Sequence, residues 1–331
     1  MRDHTMARLE LFAANIQQMK HKFKWQNSML KRLAAMLYAQ QNKTIDIEAI
    51  QVSYDRIKQQ AGLFSAFRGN SQMTLATLLS LQPDSEKLLT STIHVYDLMR
   101  NAKFRSSDFL VISAYQIAAN TQPENYAETV KRSKAFYDGM KSQHRFITGQ
   151  DDYIYTAMLG LTNMDVTYGL MRIQQLHTTF KREFRSSNAV QALSQILVLS
   201  GEETPVESRL TALRDTFRAR SLRMDKEYTL PSLGILSLLP AEIDDIATAV
   251  SKAINDLRQQ PGLGKWSITQ QELLLFAALL IAFDYVDEMK SGVVTSTLST
   301  TLTNIVIAQQ AAITAAAAAS AAAAASASSS S

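Results

Sequence analysis

Among the residues able to do chemistry, the carboxylates hold the most suggestive positions. Asp108, Asp151, Asp152, Asp225 and Glu272 all fall on polar turns or helix starts along one side of the pattern described below. Paired carboxylates on facing turns are the machinery of glycoside hydrolysis, one acting as acid and the other as base or nucleophile. Asp151 and Asp152 are the candidate catalytic acids of such an enzyme, built as an α/α-toroid and acting on a small or sugar-like substrate. Acids are equally at home at helix starts, where backbone N–H groups lack partners and the dipole is positive. Capping is the preferred reading for all five. Aromatic residues that would grip a sugar are sparse in these turns.

His144 shares a turn with Asp151 and Asp152, a His-plus-two-carboxylate set of the type that holds a metal. The helix-start reading of the two acids again takes precedence, and no metal site is expected. His94 and His177 sit within helical patterns and read as packed or surface residues; His177 takes the place held by Tyr54, Tyr96 and Tyr137 elsewhere. Gly262-Leu263-Gly264-Lys265 resembles a phosphate loop only superficially. Gln259 stands where the first glycine belongs, and Trp266 stands where the loop requires Ser or Thr. No nucleophile elbow is present. The chain has no cysteine, which removes disulfides, Cys-ligated zinc, iron–sulfur clusters and a thiol nucleophile. No cofactor is expected.

The bases are more suggestive than the acids. Lys24, Arg68, Lys103, Arg105, Arg145, Arg182, Arg185, Arg220, Arg223 and Lys265 occupy the same set of turns. Segment 207–226 holds six bases against three acids, and segment 1–32 holds seven against two. Such a ladder suits an acidic partner or a phosphate backbone. Bases also complement helix C-termini without binding anything. A net charge of +4 is small for nucleic-acid binding. Arg105, Arg185, Arg220 and Arg223 are therefore assigned to a protein or peptide partner.

The elements that must position these residues repeat. An apolar residue followed at once by a base recurs near the end of a helical stretch, at Lys20, Lys58, Arg100, Lys141, Lys181, Arg218 and Arg258. The intervals are 38, 42, 41, 40, 37 and 40 residues. Met19, Ile57, Met99, Met140, Phe180, Phe217 and Leu257 precede the bases and should point into the stack. Asp55, Asp97, Asp138 and Asp215 stand three residues before four of the bases, a spacing that pairs charges on one helix face. A large apolar residue follows each copy after a short turn: Trp25, Phe67, Phe104, Phe146, Phe184, Leu222 and Trp266. These are expected to be packing anchors. Pro83, Pro123, Pro205 and Pro240, each followed by acids, mark the starts of second helices. Pro231 falls outside this phase.

Each unit of about 40 residues reads as an α-hairpin that buries its apolar face only by stacking on neighbours. Six units run from about 21 to 260, preceded by a helix over 5–20 and followed by a long helix over 268–290. Residues 291–331 carry no charge, and 29 of those 41 are Ala, Ser or Thr. That length would span a bilayer, but the residues contribute little apolar area. An Ala-rich helix fraying into a Ser tail is the preferred reading, with membrane association as the alternative. The start MRDHTMARLELFAAN has no unbroken apolar stretch and does not read as a signal peptide. A cytoplasmic protein is expected.

The segments QQAGLFSAF (59–67), VYDLMRNAKFRSSDF (95–109), KSQHRFITGQDDY (141–153) and LRDTFRARSLRMDKEYTLPSLGILSLL (213–239), with the AAITAAAAAS tail, resemble a family of uncharacterised all-helical proteins of Gram-positive bacteria, catalogued only as a domain of unknown function. The resemblance covers nearly the whole chain. It implies an all-α bacterial protein and brings no catalytic or binding residue with it.

The expectation is an all-α array of α-hairpin repeats, an α-solenoid, right-handed and open. Its parts are an N-terminal capping helix (1–20), a repeat domain (21–290) and a low-complexity tail (291–331). Its expected function is that of a non-catalytic scaffold for a protein or peptide partner, because stacked hairpins create long concave surfaces. The toroid enzyme and nucleic-acid binding by the basic edge are the alternatives.

Overall fold

The computed structural model describes residues 3–23, 26–62, 66–69, 71–201, 206–226, 229–291 and 313. Lys24, Trp25, Pro205 and almost all of the 291–331 tail lie outside them. Among the described residues there are fourteen α-helices, three short 3-10 helices and no strand. The helices are α1 (Asp3–Lys22), α2 (Ser28–Gln40), α3 (Ile47–Gln60), α4 (Gln72–Ser80), α5 (Ser85–Asn101), α6 (Asp108–Asn120) and α7 (Tyr126–Gln143). They continue as α8 (Tyr153–Leu161), α9 (Val166–Lys181), α10 (Ser187–Leu199), α11 (Val206–Ala219), α12 (Thr229–Ser237), α13 (Ile243–Gln259) and α14 (Gln270–Ser291). All seven apolar-base motifs close an odd-numbered helix. Met19, Ile57, Met99, Met140, Phe180, Phe217 and Leu257 are all buried, as their spacing requires.

The chain divides into two compact units, one comprising residues 1–18, 38–44 and 171–309, the other residues 19–37, 45–170 and 310–331. In the unit containing 45–170, α3 packs on α4, α5 on α6 and α7 on α8. α6 also lies beside α8, and α5 beside α7. In the unit containing 171–309, α11 packs on α12 and α13 on α14, with α10 beside α12, α12 beside α14 and α11 beside α13. Each unit is thus layered, even-numbered helices against even and odd against odd.

The two layers differ in composition for a physical reason. All nine residues of α12 are buried, and so are eight of the nine in α4 and in α8. A helix enclosed on all sides needs residues that carry no unpaired polar group. Several hydroxyls of the even-numbered helices bond back to the helix backbone: Thr77 to the Met73 carbonyl at 2.8 Å, Ser113 to Phe109 at 2.7 Å, Ser194 to Val190 at 2.8 Å. The odd-numbered helices bury a single stripe. In α13 it is Ile246, Ala247, Val250, Ala253, Ile254 and Leu257, with the helical spacing of one face.

The hairpin phase differs from the expected one. Among helices consecutive in sequence, α3/α4, α5/α6, α7/α8 and α13/α14 pair extensively, whereas α4/α5 and α6/α7 touch sparsely. The turns after the motifs at Lys58, Arg100, Lys141, Arg218 and Arg258 are therefore the closed ends of helix pairs, and the intervening turns join one pair to the next. The bases explain this. Arg100 donates to the Phe104 carbonyl at 2.5 Å, Lys181 to the Arg185 carbonyl at 2.8 Å, and Lys141 to the Thr148 carbonyl. Arg258 reaches the Leu263 and Ile268 carbonyls at 3.2 and 3.1 Å. These four bases bend forward over their turns, while Lys58 lies back over the Tyr54 ring at 4.8 Å, and the expected pairing with an Asp three residues earlier survives only at Asp215–Arg218, at 3.9 Å. Asp138 pairs with Lys134 instead, at 2.6 Å.

Two arginines hold the open ends of their hairpins. Arg132 of α7 donates to the carbonyls of Gly160, Thr162 and Met164 at 3.2, 2.9 and 2.6 Å. Arg209 of α11 does the same for Ser237 and Leu239 at 2.8 and 2.7 Å, and for Ala241. The sequence separations are 28, 30 and 32 residues in both cases. Each guanidinium gathers one carbonyl from the last turn of the facing helix and two from the segment that leaves it. Pro231, which had no place in the expected phase, lies in the first turn of α12, where its missing N–H costs no bond.

Candidate functional site

The candidate acids are employed in building the turns. Asp152 accepts the Gly149 N–H at 2.8 Å and is buried at the start of α8. Asp151 precedes it in the same short 3-10 turn, exposed. Burial pushes the nearby Tyr155 hydroxyl up from its ordinary pKa, and the charges of Asp152 and Asp151 add to the effect. Asp108 accepts the Ser71 N–H at 2.7 Å, tying the start of α6 to the start of α4. Glu272 accepts the Thr269 N–H at 3.0 Å. Asp225 is gripped by Arg223 at 2.9 Å and Arg218 at 3.2 Å. The Arg223 hydrogen bonds hold its pKa down at about 2, against an opposing push from burial and with help from Arg218. Capping and ion pairing thus account for four of the five turn acids. Among the described residues no three His, Asp or Glu side chains gather as metal ligands.

The four arginines assigned to a partner fall into two kinds. Arg105 and Arg185 are exposed and make no ion pair among the described residues. Their backbones are fixed: the Arg105 N–H donates to the Tyr153 hydroxyl at 3.2 Å, and the Arg185 carbonyl receives Lys181. Arg220 donates to Thr248 at 2.9 Å and to Asp244 at 3.2 Å. Arg223 forks over Asp225, and its carbonyl receives Gln271 of α14 at 3.1 Å. Lys103 and Ser221, three residues past Arg100 and Arg218, both take the left-handed conformation that ends a helix, with φ of 69° and 60°. The turns bearing Arg105 and Arg220/Arg223 are therefore the same structure used twice.

Two of the expected packing anchors are not packed. Phe67, Phe104, Phe184 and Leu222 are buried, but Phe146 is 98% and Trp266 is 103% exposed. The positions they were expected to fill are taken by Thr148 in one turn and by Leu263 and Ile268 in the other, all buried.

A cleft of about 280 Å³ opens between α1, α13 and α14, a feature that sequence reasoning missed. It is lined by Thr5, Asp245, Thr248, Lys252, Ile281 and Asp284, among others. Asp284 is buried at its base and is salt-bridged to Arg8, which also reaches Asp287 and the Asn42 side chain. Lys252 is turned to Asp256 at 2.9 Å. Asp284, Arg8 and Lys252 thus have charged partners on the same three helices, whereas Asp245 on the rim is exposed.

Among the described residues, no helix is long and apolar enough to cross a membrane. A family model described as "Protein of unknown function (DUF4003)" matches residues 15–312. The chain is 26% identical over 294 residues to the uncharacterized protein YeaA of Bacillus subtilis (strain 168), covering 84% of this chain and 86% of that protein. No solved structure matches.

Proposed function

Because the chain belongs to the family of proteins of unknown function DUF4003, membership brings no activity with it, and we propose from the geometry a non-catalytic helical-repeat scaffold for a protein or peptide partner. The repeat reading rests on relations that recur: the buried residue before each of seven bases, and the twin clamps of Arg132 and Arg209. Stacked hairpins of this type serve as extended binding surfaces.

One observation carries the binding reading: four of the five turn acids are engaged by backbone N–H groups or by arginines, while turn bases stay accessible. Arg105 and Arg185 face solvent, and Arg220 and Arg223 make exposed pairs. Exposed pairs contribute at most about 1 kcal/mol. A partner carboxylate can replace the exposed Asp244 at Arg220 at little cost, and Arg223, 57% exposed, can bind one beside Asp225. The contact surface is assigned to these bases, and the partner is an acidic protein segment acting in the cytoplasm.

The test is affinity capture from native lysate at low salt, after nuclease treatment, comparing the parent with R185E/R220E/R223E. The expected result is a protein retained by the parent and lost by the variant, with helical circular dichroism preserved and a melting temperature lowered only by the loss of the Arg223–Asp225 pair. Equal retention by both would refute the assignment. Loss of capture on nuclease treatment alone would move it to nucleic acid.

A further inference from the structure

Phe146 and Trp266 share a construction. Each is the third residue of a tight turn, His144–Ile147 and Gly264–Ser267, closed by an N–H to carbonyl bond of 3.2 and 2.9 Å. Each is preceded by an exposed base, Arg145 or Lys265. Two residues further on the chain dives back into the protein at Thr148 or Ile268, both buried. The base that closes the preceding helix, Lys141 or Arg258, holds the carbonyl of that returning residue. Each unit therefore carries one rigid tip that lifts a base and an aromatic ring fully into solvent. In sequence, Lys24-Trp25 repeats the base–aromatic order after the first apolar-base motif.

A ring held outside by such fastening needs an environment to enter. Among the described residues the other exposed large apolar side chains are Val52, Tyr168 and Met171, all within helices. None lies in either turn, and a tip by itself offers one ring beside one base, far less than the roughly 800 Å² of continuous surface per partner that a stable protein interface takes. A lipid interface makes no such demand. It accepts isolated aromatic wedges whose rings settle at headgroup depth, and neighbouring Lys or Arg meets anionic headgroups.

We propose that the Lys265-Trp266 and Arg145-Phe146 tips are anchors for the surface of an anionic phospholipid bilayer. The assignment is independent of the scaffold reading, because it uses neither Arg185, Arg220 nor Arg223.

The experiment is co-sedimentation of the full chain with vesicles of phosphatidylcholine containing one-third phosphatidylglycerol, and with vesicles of phosphatidylcholine alone. The parent should partition onto the anionic vesicles at least tenfold more strongly than onto the neutral ones. W266S/F146S should reduce that partitioning at least tenfold, and K265E/R145E likewise, with unchanged melting temperatures. In a W25F background Trp266 is the sole tryptophan, and its emission should shift to the blue on adding anionic vesicles. A parent that ignores anionic vesicles, or binds both vesicle types equally, overturns the proposal. So does a W266S/F146S variant that binds as the parent does, which would place the anchoring in the uncharged tail.

Discussion

Arg8 donates to Asp284 across 276 residues of sequence, joining the first helix to the last described one. The side chains are 2% and 6% exposed, and Phe12 and Phe276 meet nearby with ring centroids 5.3 Å apart. Asn42 accepts from Arg8 Nε at 3.2 Å and from Nη2 at 3.1 Å, so the guanidinium is enclosed by acceptors. Removing one member of a buried pair leaves the other charged and desolvated, which costs about 3–5 kcal/mol. Arg8→Met should destabilise by that amount in urea unfolding. Arg8→Met with Asp284→Leu should recover much of it, because the stranded charge has gone. A double variant no more stable than the single would show that the pair's own attraction dominates.

Arg132 and Arg209 hold the open ends of the α7/α8 and α11/α12 hairpins by their carbonyls. A lysine carries one point charge and lacks the planar fork needed to serve three carbonyls. Arg132→Lys should therefore lose nearly as much stability as Arg132→Met, about 1–3 kcal/mol from unsatisfied helix-end carbonyls. Arg209→Lys should match it. Full rescue by lysine at both sites, read from unfolding midpoints, would contradict the geometry.

Gly160 lies where α8 crosses α7 most tightly. A Cβ there would meet Ser133 Oγ at 2.2 Å, the Thr129 carbonyl at 2.8 Å and the Ser133 nitrogen at 2.9 Å. Two of these are backbone atoms of a packed helix and cannot step aside. Gly160→Ala should cost about 1–3 kcal/mol despite alanine's better helix propensity. Gly264→Ala meets nothing within 4 Å and is the matched control, expected to be near neutral. The comparison is a pair of thermal melts. Equal melting temperatures would mean that the two helices separate readily.

The recurring apolar-base pair was legible in sequence because it is local: helical spacing puts the apolar residue inside wherever the base is outside. All-α class, helix count and the buried faces followed from that alone. The hairpin phase did not, because it depends on what the base does across its turn. Phe146 and Trp266 were misread for a similar reason. An aromatic after a polar turn looks like an anchor, yet Thr148, Leu263 and Ile268 return to the interior instead. Arg132, Arg209 and the Arg8–Asp284 pair join residues between 28 and 276 apart, and no local pattern announces such partners. The turn acids were read as caps, and Asp152 and Asp108 do accept backbone N–H groups, Asp108 from a neighbouring helix.

Asp225 gives the turn at Arg220–Arg223 a dependence on pH whose sign is set by its partners. Its folded pKa is about 2, held down chiefly by the hydrogen bonds of Arg223 and then of Arg218. In the unfolded chain a free aspartate titrates at about 3.9. The folded protein therefore binds this proton less readily than the unfolded chain does. The resulting stabilisation is complete above the unfolded value and disappears as pH falls from about 5 towards 2. Arg223 is 57% exposed while Asp225 is 12% exposed, so solvent screens part of the interaction. The contribution is about 1 kcal/mol after that discount. Asp225→Asn should lower stability by that amount at neutral pH and leave it unchanged near pH 2, where the parent's carboxyl is itself becoming protonated. Urea unfolding of both proteins across that range is the measurement. A difference that stayed constant with pH would mean that packing, not charge, holds Asp225 in the turn.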